Sequence, residues 1–343
     1  MFKRLMAVAL GVIVLAACQE NAAPTGEAGP AADANYFNGK TVTYIIATDP
    51  GGGYDTYGRL IARYMQKYLP GSRVIVRNVP GAGHIVGANT IYAARPDGLT
   101  IGMFNTGLIY NQLLNLEGVQ FDLSKMSWIG KASNELRVML VATNSPYKTF
   151  EEMLAADEPV KFAASGVGSA AYLDTRILDM AYPELDIETI AGFAGSEGEL
   201  SMMRGEVVAQ VGIASSYEQF IANGNGYIAL AMSSLAAEDY PGVPLASDYA
   251  TTDDGRQLLS LLEALSDLGR LTVGPPDIPP DILDVLRRAH DAAIADPELL
   301  AEANTIHIPI DAGTGEYVAE RINEALDQPP ETIALLAEAA SSQ

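Results

Sequence analysis

The sequence predicts an α/β protein of two lobes, on three observations. Strand-like and helix-like patterns alternate along almost all of the 343 residues. Roughly 300 residues remain once the N-terminal segment is set aside, more than one ordinary core takes in. A glycine-rich turn from strand to helix occurs twice, within Ile46–Gly58 and again at Ser165–Ser169. Such a turn leaves backbone N–H groups free at the positive end of a helix dipole, which suits an anion. A lone turn would more simply join two elements. Its recurrence weakens that reading.

The N-terminal segment comes first. Met1-Phe2-Lys3-Arg4 opens with basic residues, Leu5 to Ala17 is apolar, and Leu15-Ala16-Ala17-Cys18 looks like a bacterial lipobox. The expectation is a signal peptide over 1–17 and a lipidated Cys18 that anchors the protein to a bacterial membrane, in the periplasm. The apolar run is too short for a spanning helix. Cys18 is the only cysteine, so the chain has no internal disulfide and no thiolate metal cluster. Residues 18–35 are small, polar and proline-containing, and read as a flexible tether. A formal net charge of −22 argues against nucleic acid as a partner. Any anion site in such a chain must act locally, through oriented dipoles.

Val42 to Ala47 reads as a strand that stops at Pro50 and three glycines. A helix begins near Asp55, with Leu60, Ile61, Tyr64, Met65, Tyr68 and Leu69 at helical spacing. A strand over Arg73–Arg77, a glycine loop ending in His84, a helix around Val86–Ala94 and a strand over Leu99–Phe104 follow. Met139–Thr143 reads as the strand that leaves the first lobe. Thr149-Phe-Glu-Glu152, Ser196-Glu-Gly-Glu199 and Ser215-Ser-Tyr-Glu218 have the form of capping boxes. Between them lie a strand at Lys161–Ala164, a helix with Leu173, Ile177 and Met180 on one face, and a strand at Val207–Ile213. Ile228–Met232 returns to the first lobe, and a polar, acidic stretch follows near 236–256. Leu271–Val273 is a strand, Pro279-Pro280 starts a helix, Ile306–Ile310 is a strand, and a helix over Gly315–Leu326 closes the domain.

Catalytic chemistry has little support. The three histidines, His84, His290 and His307, stand apart from one another and from any metal-type acidic cluster. No Gly-x-Ser-x-Gly elbow and no phosphate-cleaving P-loop occur. His290 reads as a surface or semi-buried helical residue, and His307 as a packed strand residue. His84 tips a glycine loop and could face a ligand cleft. Its charged form would then strengthen anion binding as pH falls through roughly 7.5 to 5.5. Gly166-Val167-Gly168-Ser169-Ala170-Ala171 has the form of a dinucleotide fingerprint. In an exported chain its helix N-terminus serves a carboxylate equally well, so no cofactor is expected. Asp55 has two readings, N-cap of the first helix or a ligand contact that would select an amine or hydroxyl. Ser196 and Ser215 default to capping.

At these residues a family comes into view. Pro50-Gly51-Gly52 with Asp55, Arg77-Asn78 followed by Pro80-Gly81-Ala82-Gly83, Pro96-Asp97-Gly98, and Ser165-Gly166-Val167-Gly168-Ser169 form an ordered set. Together they resemble the extracytoplasmic substrate-binding proteins of tripartite tricarboxylate transporters, from about residue 40 to 326. The resemblance implies the two-lobe periplasmic-binding-protein fold, type II-like, with a cleft between lobes joined by crossing strands. It implies an organic carboxylate as ligand, a cradle formed by the loops after the first strand and the second glycine turn, no catalysis, and delivery to membrane permease subunits. The chain departs from the family at Thr48 and Asp49, where an aromatic is usual, and at His84, where glycine is. Ala170, Ala171 and Tyr172 stand where serine, glycine and histidine are common.

The combined reading is a monomeric, lipid-anchored binding protein with lobe one at 36–138 with 233–343 and lobe two at 139–232. The expected ligand-binding residues are Tyr54, Asn105, Thr106, Ser165, Gly168, Ser169 and Ala170, followed by His84, Asp55 and Ser215, with no metal. Two rivals stay open. An exported enzyme on the same scaffold would bring His84 against Ser169 or Ser215, and a sensor module would present the ligand to a receptor.

Overall fold

A computed structural model describes residues 35–341, apart from 167–168 and 194–195. The signal segment, Cys18 and most of the tether lie outside the described residues, as does Gly168. Among the described residues no helix is long and apolar enough to cross a membrane.

The strands are β1 (Thr41–Ile46), β2 (Arg73–Asn78), β3 (Thr100–Met103), β4 (Met126–Ser133), β5 (Arg137–Ala142), β6 (Val160–Ala164), β7 (Ile187–Ala191), β8 (Ala209–Ile213), β9 (Gly226–Ala231), β10 (Gly269–Pro276) and β11 (Gly313–Thr314). They form a six-stranded sheet in the order β11-β4-β10-β3-β1-β2 and a five-stranded sheet in the order β7-β6-β8-β5-β9. In the first, β1 runs parallel to β2 and β3, while β10 runs antiparallel to β3 and β4. In the second, β6 is parallel to β7 and β8, and β5 is antiparallel to β8 and β9. This is the two-lobe α/β fold expected from the sequence. β1 has a neighbour on each side, and its Val42, Tyr44, Ile45 and Ile46 are all buried. β2 lies at an edge and sends Arg73, Ile75 and Arg77 outward, as an edge strand beside water should.

Among the described residues the chain crosses between sheets twice. Residues 134–136 join β4 to β5, and the segment after β9 returns to β10. The return includes a helix not expected from the sequence, Asp253–Ser266, which overlaps only the end of the polar, acidic stretch near 236–256. Its buried Leu258, Leu259, Leu261, Leu262 and Leu265 recur at helical spacing, and the Thr252 hydroxyl caps it by accepting from Gly255 N–H. That helix and a second unexpected one, Pro330–Ser341, both pack on the Ala170–Ala181 helix beside the second sheet. Arg176 Nε donates to the Ala339 carbonyl at 3.3 Å.

Other expectations also change. The first helix starts at Gly52 rather than near Asp55, because Gly51 (φ 89°) and Gly52 (φ 79°) supply the left-handed backbone that turns β1 into it. Ile306–Ile310 forms no strand: His307 is left-handed (φ 55°) and exposed, and the slot beside β4 is taken by β11. β4 carries too many polar residues to read as a strand, yet all eight of its residues are buried between β10 and β11. His290 is buried rather than on the surface, at 1% exposure. It packs where a Cβ on Gly130 would lie 2.2 Å from its Nδ1. Of the three capping boxes, only Thr149 caps as expected, accepting from Glu152 N–H. Ser196 makes no side-chain capping bond, and Ser215 sits in a short 3₁₀ turn, Ala214–Ser216, instead.

Candidate functional site

The structure brings both glycine-rich turns to one cavity of about 530 Å³ between the sheets. Its wall from the first sheet includes the start of the Gly52–Lys67 helix, His84, Asn105 and Arg270. Its wall from the second includes Ser165, Ser169, Ala170, Glu199 and Ser215. Two glycines allow close approaches, Gly53 within the first wall and Gly107 between the two. A Cβ on Gly53 would lie 2.9 Å from Arg270 Nη2, and one on Gly107 would lie 2.9 Å from Ala170 Cβ.

Besides Glu199, four buried charges lie behind and beside the cavity, none of them expected from the sequence. Glu135, on the crossing segment, is fully buried; Arg137 on β5, Asp174 on the Ala170–Ala181 helix and Arg270 on β10 are at most 3% exposed. Arg137 Nε donates to Asp174 Oδ2 at 2.9 Å, and its Nη2 donates to the Thr106 hydroxyl at 3.2 Å. Thr106 in turn donates to Glu135 Oε2 at 2.7 Å. The Tyr54 hydroxyl donates to Glu135 Oε1 and accepts from Asn105 Nδ2 at 2.9 Å. Arg270 stacks over the rings of Tyr54 and Tyr57, at 4.1 and 5.0 Å from their centroids, a cation–π clamp. Its Nη1 stands 3.5 Å from Glu135 Oε1, at ion-pair rather than hydrogen-bond distance. Burial pushes the Tyr54 and Tyr110 hydroxyls well above their ordinary range, so both remain protonated donors, to Glu135 and Asp174. Burial also pushes Asp174 up, while Arg137 and the Tyr110 hydroxyl oppose it.

The two cations balance the two carboxylates, but the hydrogen bonds do not balance. Arg137 and Arg270 both line the cavity, and the Nη1 of each has no hydrogen-bond partner among the described residues. An unsatisfied buried donor costs about 1–3 kcal/mol, more for a charged group. An acceptor that reached these donors would satisfy them, and a carboxylate is the acceptor that suits their planar fork.

The residues expected from sequence fall into three groups. Asn105, Ser165, Ser169, Ala170, His84 and Ser215 line the cavity. Ser169 also N-caps the Ala170–Ala181 helix, its Oγ accepting from Tyr172 N–H at 3.2 Å while its own proton stays free to donate. Tyr54 and Thr106 stand behind the wall and hold Glu135. Asp55 lies elsewhere, in a surface groove with Arg59 and Glu302. Its carboxylate accepts from Gly51 N–H at 3.0 Å, Arg59 Nε at 2.8 Å and Asn78 Nδ2 at 2.8 Å. These bonds, that from Arg59 above all, hold its pKa down at about 2.

His84 differs from expectation in its charge. It adopts a left-handed conformation (φ 79°) and its Nδ1 accepts from Asn105 N–H at 3.2 Å, so that nitrogen carries no proton. Burial, aided by Arg270 and opposed by Glu135, lowers its pKa to about 4. The imidazole is neutral across the pH range in which it was expected to charge.

Comparison with known proteins now bears on this geometry. A family model described as the tripartite tricarboxylate transporter family receptor matches residues 58–312. A UPF0065 protein of Pseudomonas sp. strain P51 is 24% identical over 289 residues, covering 83% of this chain and 82% of that protein. A solved TctC solute-binding protein from Polaromonas superposes with a TM-score of 0.67 at 20% identity, covering 88% of this chain and 97% of that one. The MatC protein of Rhodopseudomonas palustris, solved with bound malate, superposes at 0.65 and 18% identity, covering 88% and 99%. By the match over 58–312, the chain belongs to the tripartite tricarboxylate transporter family of receptors.

Proposed function

We propose that this protein is an extracytoplasmic solute-binding protein that closes its two lobes on an organic carboxylate and delivers it to the permease subunits of a tripartite transporter. The observation that carries the reading is the pair of buried guanidiniums, each with an Nη1 that makes no hydrogen bond among the described residues, in a cavity walled by both sheets. In this reading the ligand carboxylate accepts from Arg137 and Arg270 on one side. On the other it meets the Ser165–Ser169 turn, the expected place of Gly168, at a helix N-terminus. The membership of strands in the two sheets supports lobe one at 36–138 with 233–343 and lobe two at 139–232, except that β5 begins at Arg137 and the helices Asp253–Ser266 and Pro330–Ser341 pack beside the second sheet. Closure is a population shift: the ligand binds the closed form more tightly because both walls then touch it.

The reading includes no catalysis. His84 hydrogen-bonds Asn105 N–H, and among the described residues it forms no hydrogen bond with Ser169 or Ser215, the pairs an enzyme on this scaffold would need. It also includes a monomeric protein in the periplasm, tethered through lipidated Cys18. Cys18→Ser should release it from the membrane fraction.

The test of ligand capture is calorimetry with a panel of carboxylates on the soluble domain. Arg270→Lys keeps the charge but loses the planar fork. It should weaken carboxylate binding by about 2 kcal/mol with little change in Tm. Equal affinity in native and variant proteins would remove Arg270 from the site.

A further inference from the structure

One acidic group in the cavity has no role in the network just described. Glu199 lies in the first turn of the Glu197–Arg204 helix, 8% exposed, and lines the cavity. Its Oε2 has no hydrogen-bond partner, and no ion pair to it occurs among the described residues. Capping does not explain it, because Ser196 makes no side-chain cap bond and the box expected there does not form. The other buried acids beside the cavity differ. Glu135 accepts from Tyr54 and Thr106, and Asp174 from Tyr110 and Arg137. Burial raises the pKa of Glu199, and among the described residues no cation offsets it. Asn111, 4% exposed, lines the opposing wall of the same cavity, and its amide oxygen is a second acceptor without a hydrogen-bond partner among the described residues.

A buried carboxylate without a partner is costly, and a cation beside it removes much of that cost. The cavity therefore offers two kinds of unmet demand. Two guanidinium donors call for an anion, and a carboxylate calls for a cation or donor. A dicarboxylate meets only the first, since its second carboxylate would share a low-dielectric space with Glu199. We infer that Glu199 is the specificity-determining residue of this site, and that the ligand is a carboxylate bearing a protonated amine rather than a second carboxylate. The inference rests on the carboxylate-binding reading and narrows it to a zwitterionic class.

The test is calorimetry of the soluble domain with matched pairs: glutarate against 5-aminopentanoate, adipate against 6-aminohexanoate, and propionate against alanine. In at least one pair the amine-bearing member should bind at least about tenfold more tightly than its partner, a difference of about 1.4 kcal/mol. Glu199→Gln should remove most of that preference while the Tm of the unliganded variant stays at or above the native value. If the acids without an amine bind more tightly in every pair, or Glu199→Gln weakens both members alike, the inference fails and carboxylate capture stands. If no member of any pair binds, carboxylate capture itself fails, and the inference with it.

Discussion

Asp55 and His84 are both titratable, both near a glycine turn, and their surroundings send them to opposite ends of usefulness. Asp55 is saturated by Gly51, Arg59 and Asn78 and ties the start of the first long helix to β2. Its pKa is depressed, so its contribution to stability is complete above about pH 4 and is lost as pH falls through about 2. Asp55→Asn should lower stability by about 1–2 kcal/mol in urea melts and leave carboxylate affinity nearly unchanged. His84 is also depressed, to about 4, because charging it would strand a cation in a half-buried pocket beside Arg270. Its contribution to stability is complete above about pH 6.5 and is lost as pH falls through about 4. Carboxylate affinity measured from roughly pH 7.5 to 5.5 should therefore be flat in native protein. A rise of tenfold that vanishes in His84→Gln would show that the imidazole charges after all.

At the level of elements, the site depends on how closely backbone approaches neighbouring side chains. Gly53 lies in the first turn of a helix, where alanine would normally favour the helical state. Here the added methyl meets Arg270 Nη2 at 2.9 Å, and Arg270 is clamped over two tyrosine rings. Gly53→Ala should leave Tm within a few degrees and weaken carboxylate binding by about 1–2 kcal/mol in calorimetry. Gly107 has an ordinary helical φ of −57°, so strain does not require glycine there. Space does, because Ala170 of the facing wall is 2.9 Å from the built Cβ. Gly107→Val should hold the walls apart and cost affinity more than stability. An unchanged affinity in either variant would show that these approaches are not needed for capture.

Across the whole molecule, the charges that face the ligand are drawn from distant parts of the chain and meet at the crossing between sheets. Tyr110 reaches Asp174 and Thr106 reaches Arg137, so each bond joins an element of the first sheet's surroundings to one of the second's. The Pro330–Ser341 helix comes from the C-terminal stretch yet packs beside the second sheet, burying Leu336 and Ala339. Deleting 330–343 should lower stability by about 2–4 kcal/mol, read as a fall in Tm, through exposure of that apolar face. Retention of the native Tm would mean the helix contributes no packing energy.

The sequence by itself determined the class of fold, the family and half of the wall. Periodicity is a local property, so β1, the Gly52–Lys67 helix and the Pro280–Ile294 helix were legible from apolar spacing and punctuation by proline and glycine. The first glycine turn was legible because left-handed backbone at Gly51 and Gly52 and close approach at Gly53 demand a residue type that stands out. The tertiary structure alone decided the charge chemistry. Glu135, Arg137, Asp174 and Arg270 are separated by up to 135 positions, and no local pattern records that they converge. Two of them left a trace: an arginine at the head of the apolar runs Val138–Ala142 and Leu271–Val273 is unusual in a buried strand. His84 shows the same limit from the other side. Its place in a glycine loop was visible in the chain, but its protonation state follows from burial and from neighbours that only folding supplies.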